Sequence, residues 1–235
     1  MLDPSKPFIV RKKPGYQSGV AVASMSPPGA YDKQGNFYFD VENLAELSPE
    51  KSESMLREYN NYTMQLLCIH EGVPGHYVQQ VYAQKSPSLI KSIFGSTATV
   101  EGWAVYSEQL MLENGYNDEP EMKLMWYKWH LRSVCNAILD YAVHARDMTK
   151  EQAMKMLTHE AFQEQAEAEG KWKRVSVTSV QLEAYYAGYK EIVDLRENYK
   201  TKLGDKYKVR DFNEKFLGYG DAPVRYIKDA MIGNK

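Results

Sequence analysis

The chain has 235 residues, 43% hydrophobic and 12% aromatic, so it can bury a substantial core, and we predict a single domain over residues 1–235. Its net charge is −2, and 29 Lys and Arg are spread among 31 Asp and Glu without a basic block, which argues against nucleic acid as a partner. No apolar run reaches the roughly 18 residues of a membrane span, and residues 1–6 do not lead into the apolar core of a signal peptide. We therefore expect no membrane span and a cytoplasmic location for the chain as it stands.

Short β-prone runs at residues 8–10, 19–23 and 37–39 predict a small sheet or hairpin in a β/loop segment, 1–47. The segment 48–235 has almost continuous helical patterning, which begins with Ser48 as an N-cap and Pro49 at the first helical position. Capping boxes at Thr149 and Thr178 predict two further helix starts, the second helix running toward Lys200. The other predicted helices cover residues 49–71, 76–85, 98–114 and 120–146, with one or two short ones over 210–232. These elements indicate a mainly α fold with a small β element near the N-terminus.

One motif dominates the sequence, His70-Glu71-Gly72-Val73-Pro74-Gly75-His76, and Glu101 follows it 25 residues later. Two histidines and two glutamates can supply three metal ligands and a general base, the set that a zinc hydrolase uses. In the usual His-Glu-x-x-His arrangement the histidines lie about 40° apart around a helix, whereas the spacing of six residues found here places them about 120° apart. Because Pro74 and the glycines beside it favour distortion, we expect a bulge that swings His76 back beside His70.

We predict His70, His76 and Glu101 as the metal ligands and zinc as the cofactor. His70 ends an apolar stretch that would hold it rigidly, although a lone histidine there would more often be a hydrogen-bonded core residue. Glu71 points about 100° away from His70 around the helix, so it is free to act as the general base on a metal-bound water. The alternative for Glu71 is a solvated glutamate.

Glu108 returns to the helix face of Glu101 after two turns. We expect it to orient a ligand histidine, and an exposed acid on an amphipathic helix is an equal alternative.

Asp140 and His144 are four residues apart and can touch on one helix. The pair could bind a substrate terminus or orient a catalytic group, and a structural helix pair is an equal alternative. Arg132 is a candidate for binding a substrate carboxylate through two hydrogen bonds, although arginines on helix surfaces are usually solvated.

Tyr185, Tyr186 and Tyr189 lie on the helix that Thr178 is expected to open. A phenol there can donate to the oxyanion that forms when water adds to a peptide carbonyl, and Tyr185 is our candidate for this role. Ordinary packing is the alternative, because the chain contains 18 tyrosines.

From about residue 50 onward the sequence resembles the bacterial domain of unknown function family 885. The resemblance rests on His70 to His76, on Glu101-Gly102-Trp103-Ala104 with Glu108, and on Gln181 to Gly188, and it continues through His144, Asp211-Phe212 and Leu217-Gly218. It implies a helical metallopeptidase of the gluzincin type, with zinc on His70, His76 and Glu101, the base at Glu71 and an active-site tyrosine at Tyr185. The helix of Glu101 is also similar to that of oligopeptidases of the thimet type.

The family's members usually exceed twice this length, so the chain resembles their C-terminal, metal-bearing half. It departs from their pattern at Ser179-Val180, where many relatives have Pro-Gly, and at Asn136, where a basic residue is common. Many relatives are exported lipoproteins, so we expect export if the chain is part of a longer precursor.

The leading hypothesis is a zinc-dependent peptidase that acts on peptides. A second hypothesis is a binding module, or one half of a two-part enzyme that forms a homo-oligomer or needs a partner chain to supply the missing N-terminal half. A third is a hydrolase of a non-peptide amide or ester, because the ligand set does not specify the acyl substrate.

Overall fold

A computed structural model describes residues 7–17, 21–29, 32, 35–86 and 88–233. The fold is mainly helical with a small sheet near the N-terminus, which confirms the predicted fold class. The strands are β1 Ile9–Lys12, β2 Ala23–Ser26 and β3 Tyr38–Val41, and the helices are α1 Pro49–Glu58, α2 Asn61–Glu71, α3 His76–Gln84, α4 Leu89–Ile93, α5 Thr97–Glu113, α6 Pro120–Ala145, α7 Lys150–Lys155, α8 Gln165–Val177, α9 Glu183–Leu203, α10 Val209–Gly218 and α11 Val224–Ile232.

The sheet has the order β1-β3-β2, with β1 parallel and β2 antiparallel to the central β3. Ile9 pairs with Tyr38, and Ala23 pairs with Val41. The predicted runs 8–10 and 37–39 fall in β1 and β3. The predicted run 19–23 overlaps β2 only at Ala23, where the strand begins, and Gly19 and Val20 lie outside the described residues.

The single helix predicted over residues 49–71 is wrong, because the chain forms α1 and α2 with a break at Tyr59-Asn60. The side chain of Asn60 accepts hydrogen bonds from the backbone N–H groups of Tyr62 and Thr63, and so begins a new helix. The predicted start at Ser48 is confirmed, with its hydroxyl accepting from the backbone of Lys51.

The two histidines of the motif belong to different helices, since α2 ends at Glu71 and α3 begins at His76. The helix end predicted at residue 71 and the helix start predicted at residue 76 are confirmed, but the expected bulge is wrong, because a four-residue turn with a cis Val73–Pro74 bond separates the two helices. A Cβ on Gly75 would lie 1.8 Å from the carbonyl oxygen of His70, so only glycine fits this turn.

The start predicted at Thr178 is also wrong. Thr178 follows the last residue of α8, and α9 begins at Glu183 without a side-chain cap of its own. Asp140 of α6 takes over that role, because its carboxylate accepts from the backbone N–H groups of Val180, Leu182 and Glu183. The capping box at Thr149 is confirmed, and α7 continues into a π-helical turn over Met156–Glu160.

Two central helices, α5 and α9, pack so closely that their backbones touch at Gly102 and Gly188. A Cβ on Gly102 would lie 2.3 Å from the backbone of Gly188, and one on Gly188 would lie 1.8 Å from the carbonyl oxygen of Ala98. The helices 98–114, 120–146 and the pair at 210–232 were predicted to within a few residues, whereas α4 and α8 were not predicted. Among the described helices, none is both long and apolar enough to cross a bilayer.

Candidate metal and catalytic site

The turn between α2 and α3 brings two imidazole rings together, with their centroids 4.8 Å apart and their planes nearly perpendicular. Both rings are buried, with 6% of His70 and 7% of His76 exposed. The Nε2 atoms of His70 and His76 lie 3.9 Å and 3.4 Å from the same oxygen, Oε2 of Glu101 on α5. The three residues predicted as metal ligands therefore converge on one small volume.

The other oxygen of Glu101 accepts a hydrogen bond of 3.3 Å from the side-chain amide of Gln181, which leaves Oε2 for the histidines. Burial alone would raise the pKa of Glu101, but His76 and His70 outweigh burial and lower the pKa below its usual value. Glu101 is therefore ionised, as a ligand carboxylate must be.

Glu108 lies two turns further along α5 and is fully buried. Its Oε1 accepts a hydrogen bond of 2.6 Å from Nδ1 of His70 and another of 3.0 Å from the indole N–H of Trp129. The bond to Nδ1 turns Nε2 of His70 toward Glu101. Burial lowers the pKa of His70, but Glu108, with Glu71 and Glu101 nearby, raises it to about 9 overall.

Glu71 ends α2 and is buried, with 7% of its surface exposed. One ligand atom from each of His70, Glu71 and His76 lies within 4.8 Å of the others. Oε2 of Glu71 is buried and has no hydrogen-bond partner in the described part of the chain. An ionisable oxygen in this position can accept a proton from a group that enters the site.

Tyr185 of α9 packs its ring nearly parallel to that of His70, at a centroid distance of 6.2 Å. Its hydroxyl oxygen accepts a hydrogen bond of 2.8 Å from the guanidinium of Arg174 on α8. Burial and the nearby carboxylate of Glu101 raise the pKa of Tyr185 to about 12, against the opposing effect of Arg174. The phenol therefore keeps its proton and can serve as a hydrogen-bond donor.

A cavity of about 250 Å³ joins these groups. His70, Glu71, His76, Glu101 and Tyr185 line one part of it. Most of the other lining residues come from β2 and the segment before it, from α6 and from α8, and the full set is Ala21, Val22, Ala23, Ser24, Met25, Tyr59, Leu67, Gln80, Val100, Trp129, Arg132, Ser133, Asn136, Lys171 and Arg174.

Asp140 and His144 touch as predicted, with 3.5 Å between Oδ1 and Nε2. Neither residue lines the cavity, however. Asp140 holds the start of α9, and Nε2 of His144 lies 2.9 Å from the carbonyl oxygen of Thr178. Their contacts support the structural alternative, in which the pair fixes the helix that carries Tyr185.

Tyr186 and Tyr189 face away from the cavity toward His130, whose ring centroid is 5.9 Å and 4.7 Å from theirs. The hydroxyl of Tyr189 donates a hydrogen bond of 2.5 Å to the side-chain oxygen of Gln109. The structure therefore places both tyrosines in an aromatic cluster rather than in the candidate site.

Arg132 lines the cavity, but other residues already occupy its guanidinium. It forms an ion pair with Glu167 and donates two hydrogen bonds of 3.1 Å to the hydroxyl of Tyr59. The residue predicted to bind a substrate carboxylate is thus committed within the protein.

Two features of the site have no clear signal in the sequence. Arg174 and Lys171 lie on α8, which no clear start signal marked. The indole N–H of Trp103 donates a hydrogen bond of 2.9 Å to the carbonyl oxygen of Pro74, and so ties the histidine turn to α5. The proximity of Trp103 to Glu101 in the sequence was the only available signal for this contact.

A family model described as "Bacterial protein of unknown function (DUF885)" matches residues 1–231. A solved structure from Shewanella oneidensis, provisionally described as a lipoprotein of unknown function, is 55% identical over 98% of this chain, with a TM-score of 0.87. Another, from Colwellia psychrerythraea and also provisionally described as a lipoprotein, is 24% identical over 97% of the chain, with a TM-score of 0.84, and shares the fold. The chain spans 41% and 38% of these two structures. No curated protein matches the chain.

Proposed function

The chain belongs to this family of bacterial proteins, DUF885, and for this member we propose a zinc-dependent peptidase of the gluzincin type. One observation carries the proposal. The Nε2 atoms of His70 and His76 and the Oε2 atom of Glu101 converge near Glu71, whose Oε2 has no hydrogen-bond partner in the described part of the chain, in a cavity of about 250 Å³.

The donor set fits zinc. Two imidazole nitrogens and one carboxylate are ligands that catalytic zinc uses in proteins, and such sites keep a position open for water or substrate. Oε2 of Glu101 and Oε2 of Glu71 are buried without a hydrogen-bond partner in the described part of the chain, a costly state for a carboxylate unless a cation joins it. We assign His70, His76 and Glu101 as the ligands, because both Nε2 atoms face Glu101.

Zinc held there would polarise a substrate carbonyl and lower the pKa of water to about 7. Oε2 of Glu71 accepts the proton of the attacking water and afterwards passes it to the leaving amine. The Tyr185 hydroxyl, which keeps its proton because burial raises its pKa, donates a hydrogen bond to the oxygen on which negative charge develops. Glu108 fixes the ring of His70 throughout through its bond to Nδ1.

The strand β2 supports a peptide as the substrate. It is an edge strand among the described strands, and Ala23, Ser24 and Met25 line the cavity beside the site. An extended peptide can add to such an edge through main-chain hydrogen bonds, which an ester or an isolated amide cannot match.

The length comparison supports a second candidate, a catalytic half that needs further protein to close over the substrate. This chain spans about two fifths of the relatives described above. From the provisional description of the relative that is 55% identical as a lipoprotein, we also propose that the protein is exported.

The test combines metal analysis with peptide hydrolysis. We expect one zinc per chain in the wild type, loss of zinc in His76→Ala and Glu101→Gln, and retained zinc without hydrolysis in Glu71→Gln. His159→Ala, outside the site, serves as the matched histidine control and should behave as the wild type. Normal turnover by Glu71→Gln would refute the mechanism. Zinc loss in Glu71→Gln but not in Glu101→Gln would show that Glu71 is the metal ligand and that Glu101 is the candidate base.

Glu108→Gln tests how His70 is oriented. The amide has nearly the shape of the carboxylate but accepts the Nδ1 proton less strongly, so zinc affinity should fall by about 10- to 100-fold. A competition titration with a chelator measures the change, and far-UV circular dichroism checks the fold. Unchanged affinity would show that Glu108 does not support the ligand.

A further inference from the structure

Three basic side chains line the same cavity as the two histidines. They are Arg132 of α6 and Lys171 and Arg174 of α8. Glu167 forms an ion pair with Arg132 and lies 3.7 Å from the ammonium of Lys171. These two basic groups thus share one carboxylate, and Arg174 has none within ion-pair distance among the described residues.

Lys171 shows the effect of this imbalance. It is almost fully buried, with 3% of its surface exposed. Burial lowers its pKa well below the usual value, and the guanidinium groups of Arg132 and Arg174 lower it further, while Glu167 opposes the change. An anion brought near this amine would relieve the repulsion between the three groups.

Arg174 is the basic group that remains available. Its guanidinium donates one hydrogen bond to the hydroxyl of Tyr185, and no carboxylate of the described residues lies within ion-pair distance of it. A guanidinium has five N–H donors in a planar fork that matches a carboxylate. Because Tyr185 stacks against His70, a carboxylate on Arg174 would lie one side chain away from the proposed zinc ligands.

We propose that Arg174, assisted by Lys171, binds a carboxylate of the substrate and so positions the peptide bond next to it at the catalytic residues. The inference rests on the proposed peptidase function and narrows its substrates to peptides that carry a carboxylate close to the cleaved bond. The carboxylate comes from either the peptide's C-terminus or an acidic side chain. Arg132 cannot take this role, because Glu167 and Tyr59 already hold it.

Binding to the metal-free protein tests the inference without any turnover. Three acetylated tripeptides are titrated by calorimetry: one with a free C-terminal carboxylate, one with a C-terminal amide, and one amide with a terminal glutamate side chain. We expect the free acid to bind at least about tenfold more tightly than the plain amide. The response of the glutamate peptide shows whether a side-chain carboxylate also serves.

Variants locate the effect. Arg174→Gln should weaken the binding of the free-acid peptide alone, so that the ratio of acid affinity to amide affinity falls close to one. Lys171→Met should lower the same ratio in part. Arg146→Gln is the matched control, because Arg146 also donates to a tyrosine hydroxyl, that of Tyr141 at 2.9 Å, but lies exposed outside the cavity. It should keep the wild-type ratio.

The outcomes separate the inference from the proposed function. If the wild type binds acid and amide equally, or if Arg174→Gln keeps the wild-type ratio, the inference is refuted even when the zinc-loaded protein hydrolyses peptides. If the ratio disappears in Arg174→Gln, the inference stands even when no peptide is hydrolysed. In a chain that hydrolyses peptides, the same variant should raise KM for acid substrates more than for amide substrates.

Discussion

The close contact between α5 and α9 makes Gly188→Ala the sharpest test of the packing. The new Cβ would lie 1.8 Å from the carbonyl oxygen and 2.6 Å from the carbonyl carbon of Ala98, where ordinary contact needs 3.4–4 Å. Both atoms belong to the backbone, so the helices themselves must separate by more than an ångström. Overpacking usually costs about 1–3 kcal/mol, and a clash between backbones belongs at the upper end of that range.

Alanine also has a higher helix propensity than glycine, by about 1 kcal/mol, which offsets part of this cost. We therefore expect Gly188→Ala to lower the free energy of unfolding by about 2 kcal/mol. Gly170→Ala in α8 is the control, since a Cβ there meets nothing within 4 Å. It should raise the free energy of unfolding by about 0.5–1 kcal/mol.

Urea unfolding followed by far-UV circular dichroism measures both variants. If Gly188→Ala were as stable as the wild type, the packing of α5 on α9 would be looser than described. The same separation would move Glu101 and Tyr185 apart, so zinc affinity should fall together with stability in Gly188→Ala and remain unchanged in Gly170→Ala.

Two further predictions concern Asp140, which is buried, and Asp221, which is partly buried. Asp140→Ala should lower the free energy of unfolding by about 2–3 kcal/mol, because three backbone N–H groups at the start of α9 lose their acceptor. Asp194→Ala, on the exposed face of α9, should change the free energy of unfolding in urea by less than about 0.5 kcal/mol. Equal losses in the two variants would contradict the capping role of Asp140. Burial raises the pKa of Asp221 from 3.8 to about 6, against a hydrogen bond from Gln79, so its protonated form favours the folded state. This contribution is fully present below pH 3.8 and is lost as the pH rises through 6. Over this range the stability of the wild type relative to Asp221→Asn should therefore fall by at most about 3 kcal/mol. If urea unfolding gave the same stability difference between the two proteins at every pH, the raised pKa of Asp221 would be refuted.

Local signals predicted most of the helices. Ser48-Pro49 and the Thr149 box begin helices where expected, because a cap depends on residues only a few positions apart. The break before α2 also had a local signal, Asn60, but the apolar pattern that continues across it concealed the cap. Sequence reasoning that weighs caps above periodicity would have found this break.

The start of α9 could not be predicted in this way. Thr178 has the residues of a cap, yet Asp140, 42 positions before Leu182, supplies the acceptor for the first N–H groups of the helix. A contact between distant parts of the chain overrides the local preference there. The sequence pattern alone does not contain that contact.

In the candidate site, too, some features could be predicted from the sequence and others depend on contacts between distant residues. The residue types of the motif predicted that His70, His76 and Glu101 would meet, and the structure brings them together. The way they meet, through a turn between two helices, depends on the carbonyl groups against which Gly75 packs. Arg174 was missed because an arginine on a polar helix gives no sign of which side chains will surround it.

The contact of Trp103 with Pro74 has a consequence for protein engineering. The indole of Trp103 holds the turn that precedes His76 against the helix that carries Glu101, so a rotation of that helix would move the turn with it. The smallest unit that could be transplanted into another scaffold is therefore two segments long. A graft of the seven-residue motif alone would leave the spacing between imidazoles and carboxylate undetermined.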